Sequence, residues 1–206
     1  MIADRLELLN TLEIDVGGHS SFEDGHCSME LVSWLAGEEY SFRPKCACPV
    51  PSKFVIKLND RIVKREMRTK LLRPILPKLV DSAVGPEATL KRMYVASDAI
   101  VRIFIPIVLD AEGFQEWAQT MRDMPEIIDE DTMYWAEAWL KLISVHYTYV
   151  VAHIAITDCN YAADYSTYSP VASAVIAAVS TAVDAEAEER IYAKAVKVIE
   201  RMLEIR

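Results

Sequence analysis

The stretch GGHSSFEDGHCSMELVSWLAGEEYSFRPKCACPVP, Gly17 to Pro51, decides how the rest of the chain is read. It holds three of the four cysteines, two of the four histidines and four of the six glycines, so nearly all candidate site chemistry falls within it. Asp24-Gly25 marks a sharp change of direction, and Gly37 supplies the left-handed residue that ends many helices. The segment between them is predicted to be a helix from Gly25 to about Ala36, with the Asp24 carboxylate as its N-cap. Cys27 is then the third helical residue, where unpaired N–H groups and the helix dipole favour a thiolate. Glu30 follows one turn later on the same face, with Trp34 one turn beyond.

Working outward, Ile2, Leu6, Leu9 and Leu12 keep near-helical spacing and predict a short amphipathic helix. Glu38 to Pro51 reads as an irregular crossing loop containing the Cys46-x-Cys48 pair. Helices are expected over 53–61 and 64–72, the second broken by Pro74 and Pro77. A helix from Pro86 to about Val108 carries Leu90, Met93, Ala96/Ser97, Ile100 and Phe104 as its core face, with Pro106 near its end. A short helix covers 112–121. The longest candidate, 132–157, repeats Trp135, Leu142, Tyr149 and Ile156 every seven residues, as at a bundle centre. A tyrosine-rich loop, Asn160 to Ser169, leads into Pro170 at a helix start, and 170–206 reads as one long helix kinked near Asp184.

Apart from ambiguous runs at 54–58 and 103–109, no alternating strand pattern survives. The predicted class is all-α: an irregular multi-helix bundle with a long C-terminal helix. The composition shift near Asn160 divides a helical core domain, 1–160, from a C-terminal helical segment, 161–206, packed on the core or on a partner. That segment offers a route to a homo-oligomer.

At 206 residues and 52 % hydrophobic, the chain can bury a full core. Its net charge of −9 opposes attraction to phosphate backbones, and no Lys/Arg run interleaves with aromatics, so nucleic acid is a disfavoured partner. MIADRLELLN lacks the basic flank and apolar run of a signal peptide, and Pro170 to Val183 falls short of the roughly 20 apolar residues of a membrane span. A cytoplasmic location without a membrane partner is expected. In a reducing compartment the cysteines are metal ligands, a reactive thiol or small buried hydrophobes before they are disulfides. GxGxxG, Walker A, GxSxG and HExxH are all missing from the sequence.

Three roles fit the cluster. The first is zinc held by His19, Cys27, Cys46 and one of Cys48, His26 or Glu30, since thiolate and imidazole suit a tetrahedral ion that would pin two loops to one helix. The second is a thiol nucleophile at Cys27, activated by a histidine and helped by the N–H groups of the helix start, with His19 and Glu30 as its catalytic companions. The third is structural: His19 and Glu30 bond loop backbone, and the cysteines are small core residues. Elsewhere, His146 and His153 share a helix face with Trp139 and suit either ligands or core. Asp158 and Cys159 follow at the end of that helix. Tyr161, Tyr165 and Tyr168 form either an aromatic recognition surface or a cover over the core.

GGHSSFEDGHCSMELVSWLAGE, followed by PKCACPV, KLNDR and LLRPILPKLV, resembles a group of bacterial and phage proteins of unknown function. The shared pattern is GxH…DGxCxMEAVAxLAGE…PxCxxPV, an LND element and a prolyl LxPLIPxLV element, and the likeness extends to Met124-Pro125-Glu126. Matched residue by residue, it picks out His19, Asp24, Gly25, Cys27, Met29, Glu30, Gly37, Glu38, Cys46, Pro49 and Val50, and leaves out His26 and Cys48. Many members carry Ser-Asp-His-Pro before the second cysteine, where this chain has Ser41-Phe42-Arg43-Pro44. Helix phase and resemblance together select His19, Cys27, Glu30 and Cys46 as the inner set. The functional expectation is an acidic interaction or regulatory protein, phage-encoded and acting on a host protein, with a structural His/Cys/Glu cluster. The alternative is a cysteine- or zinc-dependent enzyme centred on Cys27.

Overall fold

In the computed structural model the described residues are 1–146 and 170–206. His153, Asp158, Cys159, Tyr161, Tyr165, Tyr168 and the boundary near Asn160 lie outside them. Every regular element among the described residues is a helix, so the fold is all-α with a long terminal helix, as predicted. The chain forms two compact units, one of Met1–Thr89 with Ala193–Arg206 and one of Leu90–Tyr192.

The first unit contains α1 (Ala3–Leu9), α2 (Ser28–Ala36), α3 (Pro49–Arg61), α4 (Arg65–Leu72), a 3-10 turn (Arg73–Ile75) and α5 (Leu76–Leu79). Its centre is α2: Met29, Leu31, Val32 and Leu35 are fully buried, and α1, α3 and α5 pack on it. The helix starts later than predicted, with Cys27 as N-cap rather than Asp24. Gly25 adopts φ 132°, which no helix accommodates, and Asp24 instead accepts the Ser21 hydroxyl at 3.0 Å. Gly37, at φ 77°, ends the helix as expected, with Glu38 N–H returning to Ser33 O at 3.0 Å. In α3 the prolines start the helix rather than prevent it, because a first-turn proline gives up only an N–H that would be unpaired there. Pro74 and Pro77 likewise each sit in the first turn of a new short element, so the chain bends instead of stopping.

Polar side chains tie these helices to the loop before α2. Arg68, buried in α4, donates to Ile14 O at 2.9 Å and Ile62 O at 2.6 Å, while Thr69 Oγ1 accepts Ile14 N–H at 2.9 Å. Arg5 of α1 donates to Trp34 O and lies 5.2 Å from the centre of the Trp34 ring.

The second unit takes up α6 (Pro86–Ala99), which begins in the first, then a π-helical turn (Ile100–Phe104), α7 (Ile105–Ala111), α8 (Gln115–Arg122), α9 (Glu130–His146) and α10 (Pro170–Val179). The single helix predicted over 86–108 is therefore three elements, and Pro106 explains the change. Its missing N–H leaves the preceding turn without an acceptor's partner, and Ile105 N–H reaches back five residues to Ile100 O. The predicted stripe holds over its second half, where Ser97, Ile100 and Phe104 are buried, and fails at its start, where Leu90 is exposed and Arg92, Val95 and Ala99 are buried instead.

Of the seven-residue repeat in the next helix, Tyr149 and Ile156 lie outside the described residues, and the reading is corrected at Trp135. Trp135 is 66 % exposed, and α9 instead turns Met133, Ala136 and Leu140 towards Ile100, Val101 and Ile127. A straight helix drifts roughly 20° per heptad against a seven-residue repeat, so a repeat of that length need not follow its buried face.

The C-terminal region is two helices, α10 and α11 (Ala185–Glu204), rather than one kinked helix. Ser180 and Thr181 turn their hydroxyls back onto Ile176 O and Ala178 O, and Asp184 caps α11 by accepting Ala187 N–H at 2.7 Å. In α11, Ala195, Val198, Ile199, Met202 and Leu203 are buried, and Glu200 pairs with Lys78 at 2.8 Å. Of the two places expected for this segment, the core or a partner, these residues are buried within the chain itself. No described helix is long and apolar enough to cross a membrane.

Because Asp184 alone caps α11 with its side chain, Asp184→Ala should lower unfolding free energy by about 1 kcal/mol, read as a shifted denaturation midpoint with unchanged slope.

Candidate functional site

The start of α2 reads Cys27-Ser28-Met29-Glu30, a capping box in which cysteine replaces the usual serine or threonine. Glu30 is 1 % exposed. Its Oε2 accepts Cys27 N–H at 2.8 Å and its Oε1 accepts His19 N–H at 2.7 Å. His19 Nδ1 completes the set, 2.8 Å from Oε2. An ionised carboxylate only accepts, so Nδ1 carries the proton in this pair. Burial alone would raise the Glu30 pKa. The Cys27 and His19 backbone N–H groups, the imidazole and the Cys27 thiol together outweigh it and hold the carboxyl below its ordinary value.

The His19 ring fixes the position of Gly25. A Cβ there would stand 2.7 Å from His19 Cδ2 and 3.2 Å from Asp15 Oδ2, at a φ that side chains rarely adopt, so glycine is required on two grounds. Around this contact the loop is bonded to several elements. Tyr40 donates to Gly25 O at 2.6 Å, Asp15 N–H to His26 O at 2.9 Å, and Asn59 Nδ2 to Asp15 O at 2.8 Å. Asn59 Oδ1 accepts both the N–H and the hydroxyl of Ser28. Arg65 pairs with Asp15 at 2.7 Å. Phe22 stacks between His26 and Trp34, at 4.8 and 5.0 Å between ring centres, and His26 Nδ1 is buried without a bond among the described residues. His26 acts as one ring of an aromatic stack.

Glu38, just beyond α2, does for the second loop what Glu30 does for the first. Its two oxygens accept Lys45 N–H at 2.7 Å and Cys46 N–H at 2.9 Å. Cys46 O accepts Ala83 N–H, and Cys48 N–H bonds Ser82 Oγ. Asn59, Tyr40 and Asp15 were not among the residues selected from sequence, whereas Glu38 was picked out by the resemblance without a role. Glu38 and Asn59 each fall within the quoted pattern, as the last letter of LAGE and the centre of LND.

The four residues of the inner set therefore divide. His19, Cys27 and Glu30 come together, while Cys46 is held by Glu38 and residues 81–83. Among the described residues, no three His, Cys, Asp or Glu side chains form a metal-ligand group. Nor does the helix start depress the Cys27 thiol. Burial, reinforced by the Glu30 charge, pushes it to about 12, against lowering by backbone N–H groups. Burial also raises Cys46 and Tyr40, the latter helped by the Glu30 charge. Beside the cluster opens a cleft of about 160 Å³ lined by Gly17, Gly18, Cys27, Met29, Phe42, Ile56, Asn59 and Asp60.

Comparison with family models, with curated proteins and with solved structures finds no match for this chain.

The lowered pKa of Glu30 fixes the sign of an acid effect. Its stabilising contribution is fully present above the ordinary carboxyl value of 4.5 and is lost as pH falls through the folded-state value. Glu30→Gln should cost about 2–4 kcal/mol at neutral pH and flatten this part of the stability–pH curve. An unchanged acid limb in the variant would show that other groups carry it. Gly25→Ala should destabilise by on the order of 3 kcal/mol, measured by denaturant unfolding.

Proposed function

We propose that this chain is a non-catalytic helical interaction protein, in which the His19–Cys27–Glu30 cluster locks loops onto α2 and leaves the outer surface to engage a protein partner. One observation carries the reading: the Glu30 carboxylate is 1 % exposed, and both its oxygens are turned to donors of the fold, two of them loop backbone N–H groups. A catalytic carboxylate needs an acceptor position open to substrate, and here the donors converge from the fold itself. The net charge of −9 supports a protein partner over nucleic acid. A phage origin and a host target stay part of the proposal, carried by the resemblance alone.

The alternative, a cysteine- or zinc-dependent enzyme centred on Cys27, draws on the same cleft, whose wall includes that residue. A thiol with a pKa near 12 holds almost no thiolate at neutral pH, which weighs against attack on a carbonyl.

Thiol counting and elemental analysis on the native protein separate the two. The interaction reading expects Cys27 to alkylate far more slowly than free cysteine, no stoichiometric metal, and a Cys27→Ala variant that cross-links to the same partner as the parent. A hyper-reactive Cys27, or zinc near one equivalent lost in Cys27→Ala, would overturn it.

A further inference from the structure

The net charge of −9 is unevenly spread along the chain. Arg43 to Lys78 carries eleven lysines and arginines against two carboxylates, half of the chain's 22 basic residues in a stretch that lies wholly within the first unit. The rest of that unit has thirteen acidic residues against five basic. Screening at physiological salt acts over about 8 Å, so a group close to this stretch feels its local excess rather than the total.

Part of the excess is used within the chain. Arg65 pairs with Glu13 and Asp15, Arg68 and Arg73 donate to backbone carbonyls, and Lys78 pairs with Glu200. Lys53, Lys57 and Arg61 stand four residues apart on α3, so they follow one another along a single helix face for about 12 Å. Lys64 comes three residues later as the N-cap of α4. Lys53 and Arg61 also interact within the chain, and Asp60 and Glu66 are the exposed carboxylates of the stretch. The face is therefore an excess of positive charge and not a row of idle side chains.

Three local rules are broken here at once. Like charges four apart repel along a helix. Lys64 and Arg65 set cations at a helix start, against the dipole. Val63, between Arg61 and Lys64, is 84 % exposed and leaves apolar surface in water. Each of these costs the isolated fold, and a cost repeated at one place marks a surface kept for binding.

Charge and Val63 together set the occupant. Carboxylates match the cations, and an apolar residue set among them covers the valine, which offers a sugar-phosphate backbone nothing to bond. A nucleic acid longer than this face would also run onto a unit that is otherwise acidic. We propose that the face formed by Lys53, Lys57, Arg61, Val63 and Lys64 docks an acidic segment of a protein partner that carries an apolar residue among its carboxylates. This rests on the interaction reading and adds the place and the charge of what is recognised.

The test is an amide-resolved NMR titration at physiological salt with an acetylated, amidated Glu-Glu-Leu-Glu-Glu peptide. Its controls are Gln-Gln-Leu-Gln-Gln, Glu-Glu-Gly-Glu-Glu and a short DNA duplex. The expected result is shifts concentrated at Lys57, Arg61, Val63 and Lys64, with binding about tenfold tighter than for the glutamine peptide, the sum of two or three exposed ion pairs. Loss of the leucine should weaken it about threefold. The double variant Lys57→Glu, Lys64→Glu removes the repulsion and places an acid at the helix start, so its denaturation midpoint should hold or rise while peptide binding falls to the glutamine level. Equal response to the glutamine peptide, shifts spread to Arg201 and Arg206, or binding that survives the double variant would each overturn the proposal. Duplex DNA that moves the same amides more strongly than the peptide would overturn it in favour of nucleic acid. Cross-linking separates the two levels. A double variant that still captures the parent's partner sinks the docking face alone, whereas a hyper-reactive Cys27 or stoichiometric zinc sinks the interaction reading beneath it.

Discussion

A carboxylate removed from water must either gain hydrogen bonds or keep a proton, and Glu30 gains hydrogen bonds. Two backbone N–H groups and an imidazole converge on it from a loop that has no secondary structure to use them. The loop needs the acceptor as much as the carboxylate needs donors, because buried main-chain N–H groups are costly to leave unpaired. Glu38 repeats the solution at the other end of α2 with Lys45 and Cys46. A nine-residue helix thereby anchors the irregular segments on both its sides. Removing either partner leaves the other buried and unmatched, which is why the arrangement behaves as a unit.

The same geometry sets the character of Cys27. A helix N-cap is ordinarily a place where a thiol is acidified, and here the third helical residue brings a fixed negative charge against it. Burial and that charge outweigh the dipole. Stability and reactivity are therefore opposed at this position: a capping box that fastens the loop does so with the group that silences the sulfur. Cys46 follows the same logic, with burial first and Glu38 beside it.

Much of this was legible in residue types and spacing. The all-α class, the end of α2 at Gly37 and the association of His19, Cys27 and Glu30 follow from glycine placement and helix phase. The start of α2 was misread because Asp24 is the commoner cap, and Cys-x-x-Glu departs from the usual Ser/Thr form. The role of Asn59 needed α3 to be brought against Ser28, a contact between residues 31 apart in sequence. The π-helical turn was hidden for another reason. Pro106 announces a disturbance, but whether a helix breaks, kinks or widens depends on the packing around it. At Ser180 to Asp184 the opposite happened, since no glycine or proline marks the break that hydroxyl back-bonding and an aspartate cap produce.

The first unit is discontinuous in sequence, Met1–Thr89 closing with Ala193–Arg206. Val198, Ile199, Met202 and Leu203 enter its buried set only after the whole intervening segment has been synthesised. On the ribosome, the N-terminal helices therefore wait with an incomplete interior while Leu90–Tyr192 emerges as a continuous stretch able to form local contacts first. Late closure of this kind raises contact order and lengthens the interval in which apolar surface stands uncovered. The local clamps at Glu30 and Glu38 join residues no more than 11 apart, so they can form long before that closure and keep the early chain ordered while it waits.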